Sequence, residues 1–232
     1  MAMRRDILAD DGIWHFEQSY MPSMLRTNSY DTICHEHLEY YSLAVIERLL
    51  AEEGLGVVNA ELNDINGGSI RLFIGHYGQL EQTAEHAQAV QRLRLREFEL
   101  ALDSPDPYEK FRRDVERVRE DLRELCDRET AAGKSIHVYG ASTKGNTILQ
   151  YAGLDKSVIP YAADRNPDKW GSETIRTGIP IISEEESRAM KPDYYLVLPW
   201  HFLDEFVDRE REYLSSGGKF IVPLPEVRIV EG

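Results

Sequence analysis

The sequence predicts an α/β protein, and three stretches of its 232 residues carry that reading. From residue 134 onward the pattern runs strand, glycine turn, helix: Ser135 to Tyr139, the loop Gly140-Ala-Ser-Thr-Lys-Gly145, then Asn146 to Ala152. That is the opening of a Rossmann-like parallel-sheet unit. Nearer the N-terminus, an amphipathic helix at Leu43 to Gly54 precedes two strand-like runs, so a second patch of sheet is expected there. Between them, roughly residues 83 to 132 carry helical periodicity alone.

In chain order, residues 12 to 20 alternate Ile13, His15 and Glu17 against Trp14, Phe16 and Gln18 behind a glycine, which is the period of a strand. Leu43, Ile46, Leu49 and Leu50 share one helical face, and Gly54 is placed to stop that helix. Strands follow at Gly56 to Leu62 and Ser69 to His76, and the Asn66-Gly67 step between them favours a reversal. In the helical stretch, Tyr108, Phe111, Val115, Val118, Leu122 and Leu125 alternate steps of three and four, as Leu95, Phe98 and Leu102 do before them. Ser104-Pro105-Asp106-Pro107 separates the two series, so an antiparallel helix pair is expected. Later strands are expected at Val158 to Ala163, Tyr194 to Leu198 and Lys219 to Ile221, with helices near Glu184 to Met190 and Phe202 to Ser215. The expected organisation is a first segment at 1–82, a helical connector at 83–132 and a Rossmann-like domain at 133–232.

A formal charge of −14 and a pI near 5.0 argue against a general binder of nucleic acid or of anionic lipid, though local basic residues can still hold a diphosphate. Only Cys34 and Cys126 are present, far apart, which rules out a disulfide framework and a cysteine-based zinc site. Arg4 and Arg5 are followed by Asp6, Asp10 and Asp11 with no apolar stretch of signal length. No segment approaches the ~18 apolar residues of a spanning helix, so a soluble, cytoplasmic protein is expected.

The run from Tyr30 to Tyr41 holds His35, Glu36 and His37 in succession. Two imidazoles flanking a carboxylate are what a proton-abstracting site needs, because imidazole is basic yet unprotonated near neutral pH. The same residues would also serve as caps or satisfied core groups at a strand-to-helix junction. A metal reading of Cys34, His35 and His37 lacks a third and fourth ligand, and no metal is expected. The loop Gly140 to Gly145, followed by Asn146-Thr147, has neither the Gly-Lys-Ser/Thr of a P-loop nor the Gly-x-Gly-x-x-Gly of a dinucleotide fold. Between a strand and a helix it still offers amides and a positive helix end, with Ser142, Thr143 and Lys144 for an anion. Asp164 stands where an acidic residue of such units often meets ribose hydroxyls, and Trp200 and His201 fall at the expected carboxyl edge of the sheet. In Asn66-Gly67-Gly68-Ser69-Ile70-Arg71 the glycines permit close backbone approach and Arg71 is a forked donor, although a plain hairpin turn explains the run equally well.

Taken together, Phe16-Glu-Gln-Ser-Tyr20, Tyr30 to Tyr41, Asn66 to Arg71, Val138 to Thr147, Ala163 to Lys169 and Leu198-Pro-Trp-His201 resemble the sugar C-methyltransferase family, enzymes that use S-adenosylmethionine to methylate a ring carbon of a nucleotide-linked keto-sugar. The resemblance implies that strand, helix and antiparallel strand pair are the late strands of a class I methyltransferase sheet. It implies His37 as the base that forms an enolate, Glu36 as its partner or a second acid/base group, and His35 lining the site. It also implies substrate contacts from Tyr40, Arg71, Gly140, Ser142, Thr143, Lys144, Asn146, Asp164, Trp200 and His201 to a nucleotide-diphosphate sugar. Where the family usually has a tyrosine two residues before the glutamate, this chain has Cys34, and Tyr30 or Tyr40 is left to supply a phenol. The family's cysteine-rich zinc domain and glycine-rich donor loop have no counterpart before Trp14, so no S-adenosylmethionine site is evident and this chain alone is expected to be inactive without a missing N-terminal portion or a partner chain. The alternative is a stand-alone nucleotide-sugar-binding module; a nicotinamide-dependent oxidoreductase is disfavoured by the imperfect glycine pattern.

Overall fold

Two sheets carry the fold of the computed structural model, which describes residues 7–79 and 82–232; the ends of the expected 1–82 segment, Arg4 and Arg5 included, lie outside the described residues. By their contacts the residues group into two compact units. One consists of the described residues up to Thr27 together with those between Glu39 and Lys110, the other of Asn28–Leu38 together with Phe111–Gly232.

In the first unit, β1 (Trp14–Ser19), β2 (Leu55–Asn63) and β3 (Ser69–His76) form a sheet in the order β1-β3-β2, with β3 antiparallel to both neighbours. Helices α1 (Met21–Thr27), α2 (Leu43–Ala51) and α3 (Ala84–Glu99) accompany it. Ile70, Leu72 and Ile74 on alternate positions of β3 are fully buried and pack with Leu43, Ile46 and Leu50 of α2 and with Val90 and Leu93 of α3. Ser42 caps α2 by accepting from the Val45 amide at 3.3 Å. The β2–β3 connection is longer than an Asn-Gly reversal: it contains a 3-10 turn over Ile65–Gly67.

The second unit holds α4 (Asp106–Ala131, from Phe111 onward), β4 (Ile136–Tyr139), α5 (Thr143–Ala152), β5 (Ala162–Asp164), β6 (Ile181–Ser183), α6 (Glu184–Ala189), β7 (Tyr194–Val197), α7 (Leu203–Arg209), α8 (Arg211–Ser215), β8 (Lys219–Val222) and β9 (Arg228–Val230). Its strands lie in the order β6-β5-β4-β7-β8-β9, parallel except for the last pair. Alternate residues of β4 and β7 feed different cores. Ile136, Val138 and Leu196 join Val118 and Leu122 of α4 with Ile148 and Leu149 of α5, while Tyr139, Tyr195 and Val197 join Phe206 and Leu214. A sheet buried on both faces is the doubly wound, Rossmann-like arrangement.

Several boundaries differ from the expectation. The strand expected at Val158 to Ala163 is confined to Ala162–Asp164, because the chain turns tightly before it, with the Ile159 amide donating to Asp155 at 2.9 Å and Pro160 following. The helix expected at Phe202 to Ser215 is two short ones, broken at Glu210, whose carboxylate is drawn inward by Arg188 and Tyr139. Strands β6 and β9 have three residues each, too short to give a periodic signal.

Candidate functional site

The segment Asn28–Leu38, which carries the His-Glu-His run, belongs to the Rossmann-like unit. A 3-10 turn over Tyr30–Thr32 fastens it there. Tyr30 is buried in the α4–α5 core and its ring centroid lies 5.5 Å from that of Tyr151. Asp31, 1% exposed, accepts from the Trp200 indole N–H at 3.1 Å. The Thr32 hydroxyl donates to Ser29 at 2.7 Å, the Cys34 amide to Thr32 at 2.9 Å and the His37 amide to Cys34 at 3.0 Å. This folding-back leaves His35 and Glu36 exposed and His37 half-buried, so none of the three is sealed in apolar packing. The Thr143 hydroxyl, on the first turn of α5, lies 3.4 Å from Glu36 Oε1.

Beside the motif is a cleft of about 490 Å³ whose lining includes Cys34, His35, Thr143, Asn146, Gln150 and Arg176. The glycine loop and the Leu198–His201 segment follow β4 and β7, the pair at which the strand order reverses, which is where open α/β sheets collect ligands. Much of the polar capacity at that edge is already used within the protein. Ser142 accepts from the Gly145 amide at 3.0 Å as the cap of α5. Asp164 accepts from the Ala141 amide at 2.9 Å, the Asn166 amide at 2.8 Å and Lys169 Nζ at 3.1 Å. Gly140 has φ +84°, and a Cβ there would stand 2.6 Å from Pro199 Cγ, so packing against the β7 loop alone demands glycine.

The electrostatics of the edge centre on Asp31, His201 and Lys144. Burial pushes the Asp31 carboxyl above the usual carboxylate range, against the pull of the Trp200 N–H and of Lys144. Burial, with Lys144 adding to it, pushes the His201 imidazole down to about 4, so it is neutral at physiological pH. Its Nδ1 is buried with no hydrogen-bond partner among the described residues.

Residues 64–225 match the family model described as the C-methyltransferase C-terminal domain. The chain belongs to the C-methyltransferase family. It is 37% identical over 226 residues to the C-methyltransferase NovU of Streptomyces niveus, an alignment covering 97% of this chain and 53% of that protein, so it spans about half the length of this curated relative.

Among the other site residues inferred from the resemblance to C-methyltransferases, Arg71 and Tyr40 lie in the first unit. Arg71 stands opposite Glu17 and Glu61 in register and pairs with both, at 3.0 and 3.7 Å. A Cβ on Gly68, which has φ +123°, would meet the Ser23 Cβ at 2.4 Å. Cross-strand pairing and close packing therefore account for that run without a ligand. Of the two phenols considered as replacements for one at position 34, Tyr30 has its hydroxyl buried and Tyr40 is half-buried in the first unit. That Tyr151, Gln150 and Arg176 line the cleft beside the His-Glu-His run, and that Asp31 meets Trp200, was not legible in the sequence. Tyr151 and Gln150 look like ordinary helix positions, and Arg176 occupies φ +66°, a conformation nothing in an arginine announces.

A methyl donor's ribose is usually met by an acidic group after the second strand of such a unit. Asp164 occupies that place and already accepts three hydrogen bonds within the protein. Among the described residues no cluster of three His, Cys, Asp or Glu side chains is arranged to hold a metal ion, and no helix is long and apolar enough to cross a membrane.

Proposed function

We propose that the chain serves a cytoplasmic, S-adenosylmethionine-dependent C-methyltransferase by binding a nucleotide-linked keto-sugar and activating one of its ring carbons. The observation that carries this reading is the seating of the His-Glu-His segment on α5, with Glu36 3.4 Å from Thr143 beside an open cleft. S-adenosylmethionine supplies the electrophilic methyl group; the residues of this chain act on the acceptor.

A carbon becomes nucleophilic when it loses a proton next to a ketone. In this reading an imidazole nitrogen of His37 takes that proton, the C–H electron pair moves into an enolate, and Glu36 stabilises the imidazolium that forms. The activated carbon then accepts the methyl group, and the imidazolium returns its proton to solvent.

Proton removal precedes methylation, so it is measurable without the donor. With a thymidine-diphosphate keto-sugar in deuterated water, the proton beside the carbonyl is expected to exchange faster with the chain than without it. His37→Gln is expected to slow that exchange by about 10²-fold or more. Equal exchange rates for the two proteins would remove His37 from the role of base. Titration with S-adenosylmethionine is expected to give no binding, since no glycine-rich donor loop is evident among these residues; tight binding would mean the chain holds the donor too.

A further inference from the structure

We infer that Asp31 and Trp200 are positioning residues for the proposed reaction: the hydrogen bond between them fixes the His-Glu-His segment on the sheet so that His37 meets the acceptor carbon in a reactive geometry. This rests on the proton-abstraction reading above and adds what holds the base. It also gives Trp200 a role other than the substrate contact that the resemblance to C-methyltransferases implies.

The segment is laid across the carboxyl edge of the second unit strand by strand. The Asn28 side-chain amide lies 3.5 Å from the Pro225 carbonyl, which follows β8. Asp31 accepts from Trp200, which follows β7, and Glu36 lies 3.4 Å from the hydroxyl of Thr143, which follows β4. Strands β8, β7 and β4 are successive neighbours in the sheet, so contacts taken in chain order meet the strands in spatial order. The segment is thus a strap over the edge at which open α/β sheets collect ligands.

The three ties differ in strength. Distances of 3.4 and 3.5 Å are at the limit of a hydrogen bond, whereas the central one, 3.1 Å to a carboxylate 1% exposed, is shielded from competing water. Beside it Tyr30 plugs into the α4–α5 core, its ring 5.5 Å from that of Tyr151. A plugged ring leaves the backbone free to pivot; a directional bond from the next residue removes that freedom. An apolar side chain at position 31 would bury at less cost but would fix no direction.

Trp200 is a firm mount. The Leu198 amide donates to the Tyr139 carbonyl at 3.2 Å and the Phe202 amide to the Pro199 carbonyl at 2.9 Å, while the indole packs against the cores on both faces of the sheet. From Asp31 the placement passes to His37 through backbone bonds. The Ile33 amide donates to Tyr30 at 2.9 Å, the Cys34 amide to Thr32 at 2.9 Å and the His37 amide to Cys34 at 3.0 Å. Misplacing a reacting group by about 1 Å costs up to about 10²-fold in rate, so a loosened strap is felt at the base.

The test is exchange of the proton beside the carbonyl of a thymidine-diphosphate keto-sugar in deuterated water, followed against sugar concentration. Trp200→Phe keeps a ring in the packing and removes the donor. It is expected to lower the saturating rate by about tenfold or more and to leave the half-saturating concentration within about threefold of wild type. Asp31→Ala is expected to do the same, Asp31→Asn to restore most of the rate because its amide oxygen accepts from the indole, and the Ala/Phe double variant to be no slower than the slower single one. Amide hydrogen exchange separates a loosened strap from general unfolding. In Trp200→Phe the Cys34 and His37 amides are expected to exchange faster while the Val138 amide, bonded to Tyr161 at 2.9 Å, keeps its wild-type rate. A raised half-saturating concentration at an unchanged saturating rate would make Trp200 a substrate contact and overturn the clasp, as would equal acceleration at Val138 and His37. Wild-type exchange that His37→Gln slows but Trp200→Phe and Asp31→Ala leave untouched would overturn the clasp and leave the base assigned. No acceleration by the wild type would overturn both.

Discussion

Asp31 is the residue at which sequence and environment conflict most sharply. A carboxylate 1% exposed, with one oxygen accepting from an indole N–H and the other unpartnered among the described residues, is an expensive group to bury. Its pKa is raised by burial, so in the folded protein ionisation is disfavoured and stability increases as pH falls through that value. Asp31→Asn keeps the shape and an acceptor for Trp200 while removing the charge, and is expected to raise the unfolding midpoint at pH 7.5. The gain should shrink as the pH falls toward the range where Asp31 itself takes up a proton. Asp31→Ala strands the indole N–H and loosens the Tyr30–Thr32 turn, and is expected to cost about 1–3 kcal/mol. Thermal melts of the two variants at pH 7.5 and 4.5 check both signs; an Asn variant less stable than wild type at pH 7.5 would mean that the Lys144 attraction outweighs burial.

Among the elements, α2 is defined from outside its own sequence. Glu97, 5% exposed on α3, accepts from the Leu43 amide at 2.5 Å, the Ala44 amide at 3.0 Å and the Tyr20 hydroxyl at 2.8 Å. It thus satisfies two of the first-turn donors of α2 with a charge placed at the positive end of that helix. Glu97→Ala is expected to cost about 3 kcal/mol of first-unit stability, since three donors lose one buried acceptor. Hydrogen exchange of the α2 amides would report this directly, with exchange at wild-type rates in the variant ruling it out. The spacing of Leu43, Ile46 and Leu50 made α2 readable, because a face buried against a sheet leaves its period in the sequence. The cap from Glu97 was not readable, since fifty-odd residues separate the partners. The same contrast governs the candidate site: Glu36 and His37 stand in one run, whereas Thr143 comes beside Glu36 only after the chain has folded. The loop residues Ser142 and Asp164 were legible as a loop, but not as a loop whose polar atoms hold one another.

For the molecule as a whole, acidification brings effects of opposite sign, protonation of Asp31 being one that stabilises. A net charge of −14 at pH 7 means that adding protons relieves self-repulsion, which favours the compact state. Against this stands His137 in the second unit, 3% exposed, with its ring Nδ1 2.8 Å from the Ser187 hydroxyl. Burial pushes its imidazole from 6.5 down to about 4, so it stays neutral in the fold while an unfolded chain would take up the proton. A depressed histidine value contributes no penalty above pH 6.5 and destabilises progressively as pH falls from there toward 4. By pH 5 the cost from this one residue is about 2 kcal/mol, and His201, also lowered to about 4 but less buried, adds to it. Repulsion among dispersed surface charges is screened at ordinary ionic strength, whereas a buried imidazole is not, so the histidine effect is expected to dominate at 0.15 M salt. The second unit should therefore melt lower at pH 5 than at pH 7. His137→Phe, which keeps an aromatic ring against Tyr161 and Tyr195, should lose part of its stability at pH 7 but show a smaller drop between the two pH values. Calorimetry at both pH values decides it, because equal drops in wild type and variant would place the acid sensitivity elsewhere.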